Sequence, residues 1–216
     1  TNQEGLQVVR GTAEVLAPSE KISHIRQEHM PSIRIDDKHE RYMNLLASVK
    51  GLEPIPTAVA HPCDVESLKG PVIAYQEGII EPFLIGPESK IRSVAEEFGI
   101  DLHGIRIVNA KHSHDSAALA VSMVRTGDAE ALMKGSLHTD ELMSEVVSRA
   151  NGLRTARRIS HVFVMNVPTY HRPLLITDAA INIKPTLEDK VDIIQNAIDL
   201  AHILGIPEPK VAILSA

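Results

Sequence analysis

Three clusters of polar residues in this chain have the types and spacing of an anion-binding site. The first is Lys134-Gly135 with Thr139 shortly after. A lysine at a strand end, followed by the free backbone N–H groups of a helix start, makes a place for an anion. The alternative is a plain surface lysine. The second cluster holds Arg154, Arg157, Arg158, Ser160 and His161. A guanidinium fork matches phosphate oxygens, and Arg158 lies nearest the apolar run that follows. Ser160 can hydrogen-bond phosphate, and His161 can enter a cleft. The alternative is a solvated basic loop. The third is the stretch PLLITDAAINIKPTLEDK, where an apolar run stops at Asp178 and a loop carries Asn182, Lys184 and Pro185. Thr186, with Asp189 three residues on, then caps a helix. Such a buried strand delivers Asp178 to the carboxyl edge of a sheet, where open α/β sheets place their ligands. Asp178 and Asn182 either orient a substrate, or Asp178 ties down the loop by accepting backbone N–H groups. The three clusters together point to a small, polar, phosphorylated ligand.

A fourth run, His112-Ser113-His114-Asp115, has the residue types of a zinc site. Spacing offers no third ligand, and Ser113 or Asp115 can instead cap the Ala-rich helix that follows. We therefore assign no metal. Cys63 is the only cysteine of 216 residues, which excludes an internal disulfide and a cysteine-based zinc site and fits a reducing cytoplasm. The net charge is −6 and aromatics are 3% without Trp. Neither a basic field nor a stacking surface is available for nucleic acid. The sequence also offers neither a leader nor a run apolar enough for a membrane span.

The elements that must position these residues follow an α/β rhythm. Residues 6–16 alternate like a strand, and 19–31 form a polar linker. The spacing then predicts a helix over 37–50, a strand at 57–60, and a helix from Asp64 that Gly70-Pro71 should disturb. A strand at 82–86, a helix at 88–98, a strand at 105–109 and a helix at 113–126 follow. A strand at 131–135 leads to a helix starting at Thr139 or Asp140. A second unit has strands at 162–167, 174–177 and 211–214, with a helix over 186–204. The boundaries divide the chain into a remnant at 1–31, a first α/β domain at 32–151 and a second, incomplete one at 152–216. Alternating strands and helices imply parallel sheets. A chain ending directly after a strand suggests truncation there.

Four segments in order resemble the phosphate acetyltransferase / phosphate butyryltransferase family. They are Ala131-Leu132-Met133-Lys134-Gly135 with Thr139, Arg158-Ile159-Ser160-His161-Val162, the Asp178 to Lys190 stretch, and Pro209 to Ala216. The resemblance implies a two-domain parallel-sheet α/β fold similar to the isocitrate and isopropylmalate dehydrogenases, with a cleft between the domains. It implies conversion of acyl-CoA and phosphate to acyl phosphate and coenzyme A, with no cofactor beyond coenzyme A as substrate or product. Family members are usually dimers. Lys134, Gly135, Thr139, Arg158, Ser160, Asp178 and Asn182 are the substrate-binding candidates. The residues that assist the chemistry in the family are expected beyond Ala216. Gly11-Thr12-Ala13-Glu14-Val15 with Pro18 is similar to the end of a hot-dog-fold (MaoC-like) enoyl-CoA hydratase, which implies a bifunctional hydratase/acyltransferase. Two other readings stand beside this one. One is a non-catalytic acyl-CoA-binding regulatory module of the same fold. The other is an isocitrate-type dehydrogenase, against which the lack of a clear Asp pair for a metal counts.

Overall fold

The computed structural model describes residues 40–167 and 170–214. The strand expected at 6–16, the linker at 19–31 and the hydratase-like segment lie outside these residues. A helix α1 (Glu40–Val49) leads into β1 (Ile55–Ala60), α2 (Val65–Gln76), β2 (Ile80–Gly86), α3 (Glu88–Phe98) and β3 (Arg106–Asn109). After these come α4 (Ser113–Thr126), β4 (Ala131–Lys134) and α5 (Thr139–Val146). The strands form a parallel sheet in the order β3-β2-β1-β4. The register sets Ala58 beside both Phe83 and Leu132.

The two central strands are short apolar runs, as a sheet covered on both faces requires. Ala58, Val59, Ala60, Leu84 and Ile85 are fully buried. One face, built from Ala58, Ala60, Phe83 and Ile85, packs on Ala117, Ala120 and Val121 of α4 and Leu142 of α5. Small residues on α4 let that helix lie close to the sheet. The other face, Val59 and Leu84, packs on Leu68 of α2 and Ile91 and Ala95 of α3.

Local signals explain the helix ends. Asp64 and Ser67 form a reciprocal capping box at α2. That helix runs straight through Gly70-Pro71, contrary to expectation. Pro71 costs one backbone hydrogen bond, about 3 kcal/mol in an open helix. Here Leu68, Pro71 and Val72 are all buried, and the packing together with the cap outweighs the loss. Helix α4 stops at Gly127, which holds a φ of 85°. Of the apolar residues that gave α1 its helical spacing, Tyr42, Leu45 and Val49 are exposed.

The later part differs more from expectation. β5 (Val162–Met165) and β6 (Leu174–Thr177) pair antiparallel in a separate two-stranded sheet, and α6 (Leu187–Ile203) follows. The strand β6 was expected to be buried, yet Leu174 and Ile176 are exposed, as are Phe163, Val164 and Met165 of β5. Two strands cannot cover both of their faces. β5 stops short of 167, and Asn166 just past its end accepts from the Arg41 guanidinium at 2.9 Å. The strand expected at 211–214 does not form: Val211, Ile213 and Leu214 are exposed, with no ladder partner among the described residues. Thr186 and Asp189 do make the expected capping box at α6.

Candidate functional site

The four strands of the larger sheet end at one common edge. The chain passes from β1 to β2 and β3 on one side, then returns to β4 on the other side of β1. Such a switch point is where open α/β sheets place their ligands. His61 follows β1 there, and Lys134 ends β4, with Gly135 and Ser136 next.

Backbone contacts lock these two loops together. The Gly135 N–H donates to the Ala60 carbonyl at 2.8 Å, and the Ser136 N–H to the His61 carbonyl at 2.9 Å. The Ser136 hydroxyl donates to the same His61 carbonyl at 2.8 Å and accepts from the Cys63 N–H at 3.1 Å. A Cβ on Gly135 would sit 2.5 Å from the His61 carbonyl oxygen and nearer still to that of Ala60. Only glycine permits so close an approach of two backbones. His61 itself has a φ of 56°. For a residue other than glycine this left-handed conformation costs on the order of 1 kcal/mol or more, and it recurs at functional sites.

The His61 ring is anchored from α4. Its Nδ1 lies 3.2 Å from the hydroxyl of Ser116, which is fully buried and donates to the His112 carbonyl at 2.8 Å. Burial lowers the pKa of His61; Lys90 adds to that effect, Glu141 opposes it, and His112 adds to it again. Protonating a partly desolvated imidazole beside a cation is unfavourable, so the ring favours its neutral form.

Lys134 is exposed, with Nζ 3.2 Å from the Gly135 carbonyl, and Thr139 opens α5 with an exposed side chain. Glu141 ties α5 to α4. It accepts from the Ser113 hydroxyl at 3.2 Å and the His138 N–H at 3.1 Å, and lies 3.2 Å from His114 Nε2. His112 caps α4 by accepting from the Asp115 N–H at 3.3 Å. Among the described residues, no group of three His, Cys, Asp or Glu side chains is placed to hold a metal.

A second polar network surrounds the end of β6. Asp178 Oδ1 accepts from the N–H groups of His161, Ala180 and Ile181, each at 3.2 Å. Its Oδ2 accepts from the Asn182 N–H at 3.0 Å and from the Asn182 side-chain amide. Burial pushes the Asp178 pKa up, but the hydrogen bonds from Asn182, Ile181, Ala180 and His161 outweigh it and hold the carboxyl below its usual range. Asn182 in turn accepts from Arg158 Nε at 2.8 Å and donates to the Ile159 carbonyl at 2.9 Å. Helix α6 supports the other side. Asp192 accepts from the Arg158 N–H at 2.7 Å, and Asn196 donates to the Arg158 carbonyl and the Ser160 hydroxyl at 2.9 and 2.8 Å. Arg157 pairs with Asp199 of the same helix at 2.5 Å. The Nδ1 of His161 is buried without a partner among the described residues.

Arg158, Ser160, Asp178 and Asn182 are thus brought into one network, while Lys134, Gly135 and Thr139 gather at the β4–α5 turn. Among the described residues no hydrogen bond or ion pair joins the two groups. Sequence reasoning missed His61, Ser116, Ser136 and Glu141. The only local signal was His61-Pro62 at a strand end.

Residues 110–216 match the model of a family described as phosphate acetyl/butaryl transferase. The chain is similar to a phosphate acetyltransferase of Rickettsia prowazekii, 51% identical over 204 residues, which are 94% of this chain and 58% of that protein. It is also similar to a phosphate acetyltransferase of Rhizobium meliloti, 57% identical over 176 residues, 82% of this chain and 56% of that protein. A crystal structure of a branched-chain phosphotransacylase from Enterococcus faecalis V583 superposes with a TM-score of 0.55 at 26% identity, covering 70% of this chain and 52% of that one. The chain therefore spans a little over half the length of the relatives it matches.

Proposed function

This chain belongs to the phosphate acetyl/butyryl transferase family, and on that premise we propose that it transfers an acetyl group between coenzyme A and inorganic phosphate. The observation that carries this reading is the placement of Lys134 at the β1–β4 switch point, followed by a turn that only Gly135 can make. A flexible ammonium near the N-terminus of α5 suits a phosphate dianion. An acetyl rather than a butyryl substrate is supported by the names of the Rickettsia and Rhizobium relatives.

In the proposed reaction, an oxygen of hydrogen phosphate attacks the thioester carbonyl and coenzyme A leaves as the thiol. The chemistry requires a fixed phosphate, donors for the carbonyl oxygen as charge builds on it, and a path for one proton. Lys134 and the N–H groups around Thr139 hold the phosphate. Arg158, Ser160, Asp178 and Asn182 shape the facing wall, with Asp178 and Asn182 fixing the loop rather than reacting.

Finer parts of the proposal rest on the sequence alone. They are a boundary near 151–152 between two α/β domains of the isocitrate-dehydrogenase kind, a homodimer, a cytoplasmic setting, and fusion to an enoyl-CoA hydratase. The matches to the Rickettsia relative take in 94% of this chain and so extend into residues 1–31. A thiol-release assay with acetyl-CoA and phosphate tests the activity. Binding of acetyl-CoA without turnover would instead identify a regulatory module.

A further inference from the structure

Helix α6 holds the segment before β5 through the side chain of Asn196. Its Nδ2 donates to the Arg158 carbonyl at 2.9 Å and to the Ser160 hydroxyl at 2.8 Å. Its Oδ1 accepts from the Arg157 guanidinium at 3.3 Å. A carbonyl can only accept and a guanidinium can only donate, so both sides fix the amide the same way round. The Ser160 oxygen therefore receives a proton from Asn196 and keeps its own. Among the described residues that hydroxyl proton has no acceptor. Ser160 is half-buried, so it is not sealed off from solvent.

The charges in this network select the kind of acceptor. Asp178 accepts from the N–H of His161, the next residue, and Asp192 from the N–H of Arg158. Both guanidinium groups are already engaged: Arg157 pairs with Asp199 at 2.5 Å, and Arg158 lies 3.6 Å from Asp189. Carboxylates thus outnumber guanidinium groups here, and a phosphate dianion would meet net repulsion. An uncharged carbonyl oxygen would not. We propose that Ser160 is a binding contact for an uncharged carbonyl oxygen of acyl-CoA, in the thioester or in an amide of the pantetheine arm. Asn196 is the positioning residue that leaves the Ser160 proton free for it. The inference rests on the acyl-transfer reading above, leaves phosphate to Lys134, and gives neither residue a chemical step.

Calorimetric titration of the full chain with acetyl-CoA, coenzyme A and inorganic phosphate tests this. Ser160→Ala should weaken acetyl-CoA binding about fivefold and leave phosphate binding unchanged. An equal loss for coenzyme A assigns the contact to an amide of the arm; a loss for acetyl-CoA alone assigns it to the thioester. In the thiol-release assay the same variant should raise KM for acetyl-CoA with kcat little changed. Asn196→Asp puts a carboxylate where the donor was, and that carboxylate takes the Ser160 proton. It should therefore weaken acetyl-CoA binding as well, and the double variant should bind no more weakly than Asn196→Asp alone. Additive losses would make Asn196 a structural support and overturn its positioning role. Wild-type affinity for acetyl-CoA in Ser160→Ala, or a loss confined to phosphate, refutes the contact. A wild type that binds acetyl-CoA but releases no thiol with phosphate removes the acyl-transfer reading, while the Ser160 contact still stands or falls on the titrations.

Discussion

The Nδ1 of His61 and the hydroxyl of Ser116 lie 3.2 Å apart, across 55 residues of chain. The contact joins the end of β1 to the first turns of α4, and it depends on Ser116 being fully buried. Ser116→Ala removes the hydrogen-bond partner of His61 Nδ1 and leaves the His112 carbonyl without that donor. A loss of about 1–3 kcal/mol in unfolding free energy is expected, measured by urea denaturation. A variant as stable as the wild type would mean that the hydroxyl is not bonded as described.

Gly135→Ala is expected to be more harmful than its size suggests. The new methyl would press on the carbonyl oxygens of Ala60 and His61, both backbone atoms that cannot swing aside. The β4 loop would have to move, at a cost of about 1–3 kcal/mol, and Lys134 would move with it. Thermal unfolding should show a lowered midpoint, and phosphate binding should weaken in parallel. Unchanged values for both would show that the close approach is not present in solution.

Asp178 gives an acid-dependent signature. Its pKa is held below the unfolded value of about 3.9, so the folded chain binds fewer protons there. The stabilisation is fully present above about pH 4 and is lost as pH falls through the folded pKa. Asp178→Asn should therefore be less stable than the wild type at pH 7, and should lose less stability than the wild type between about pH 4 and 2. Parallel stability curves for the two proteins would remove Asp178 as the acceptor that ties the loop.

Lys134→Ala tests the phosphate site itself. The side chain is exposed and makes one contact, to the Gly135 carbonyl, so stability should change by less than about 0.5 kcal/mol. KM for phosphate should rise at least about tenfold, while that for acetyl-CoA changes far less. Equal increases for both substrates would place Lys134 outside the phosphate site.

Much of the first sheet was legible because its strands are short apolar runs bounded by Gly and Pro, and its helices carry caps such as Asp64 or stops such as Gly127. Lys134, Gly135 and Thr139 were legible because they are near neighbours in sequence. His61 was not: its importance comes from Ser116 and Ser136, far along the chain, and from a backbone angle that no residue type announces. The antiparallel pairing of β5 and β6 was missed because an apolar run carries no direction. The segment 211–214 has the composition of a strand, but a strand needs a ladder partner, and its residues find none among those described. Pro71 was overweighted because the buried neighbours that hold α2 together are contributed by the sheet.

The most direct test of the whole reading is the release of coenzyme A thiol from acetyl-CoA by the purified chain, with and without inorganic phosphate. Phosphate-dependent release, faster with acetyl-CoA than with butyryl-CoA, is the expected result. Binding of acetyl-CoA with no phosphate-dependent release would contradict it.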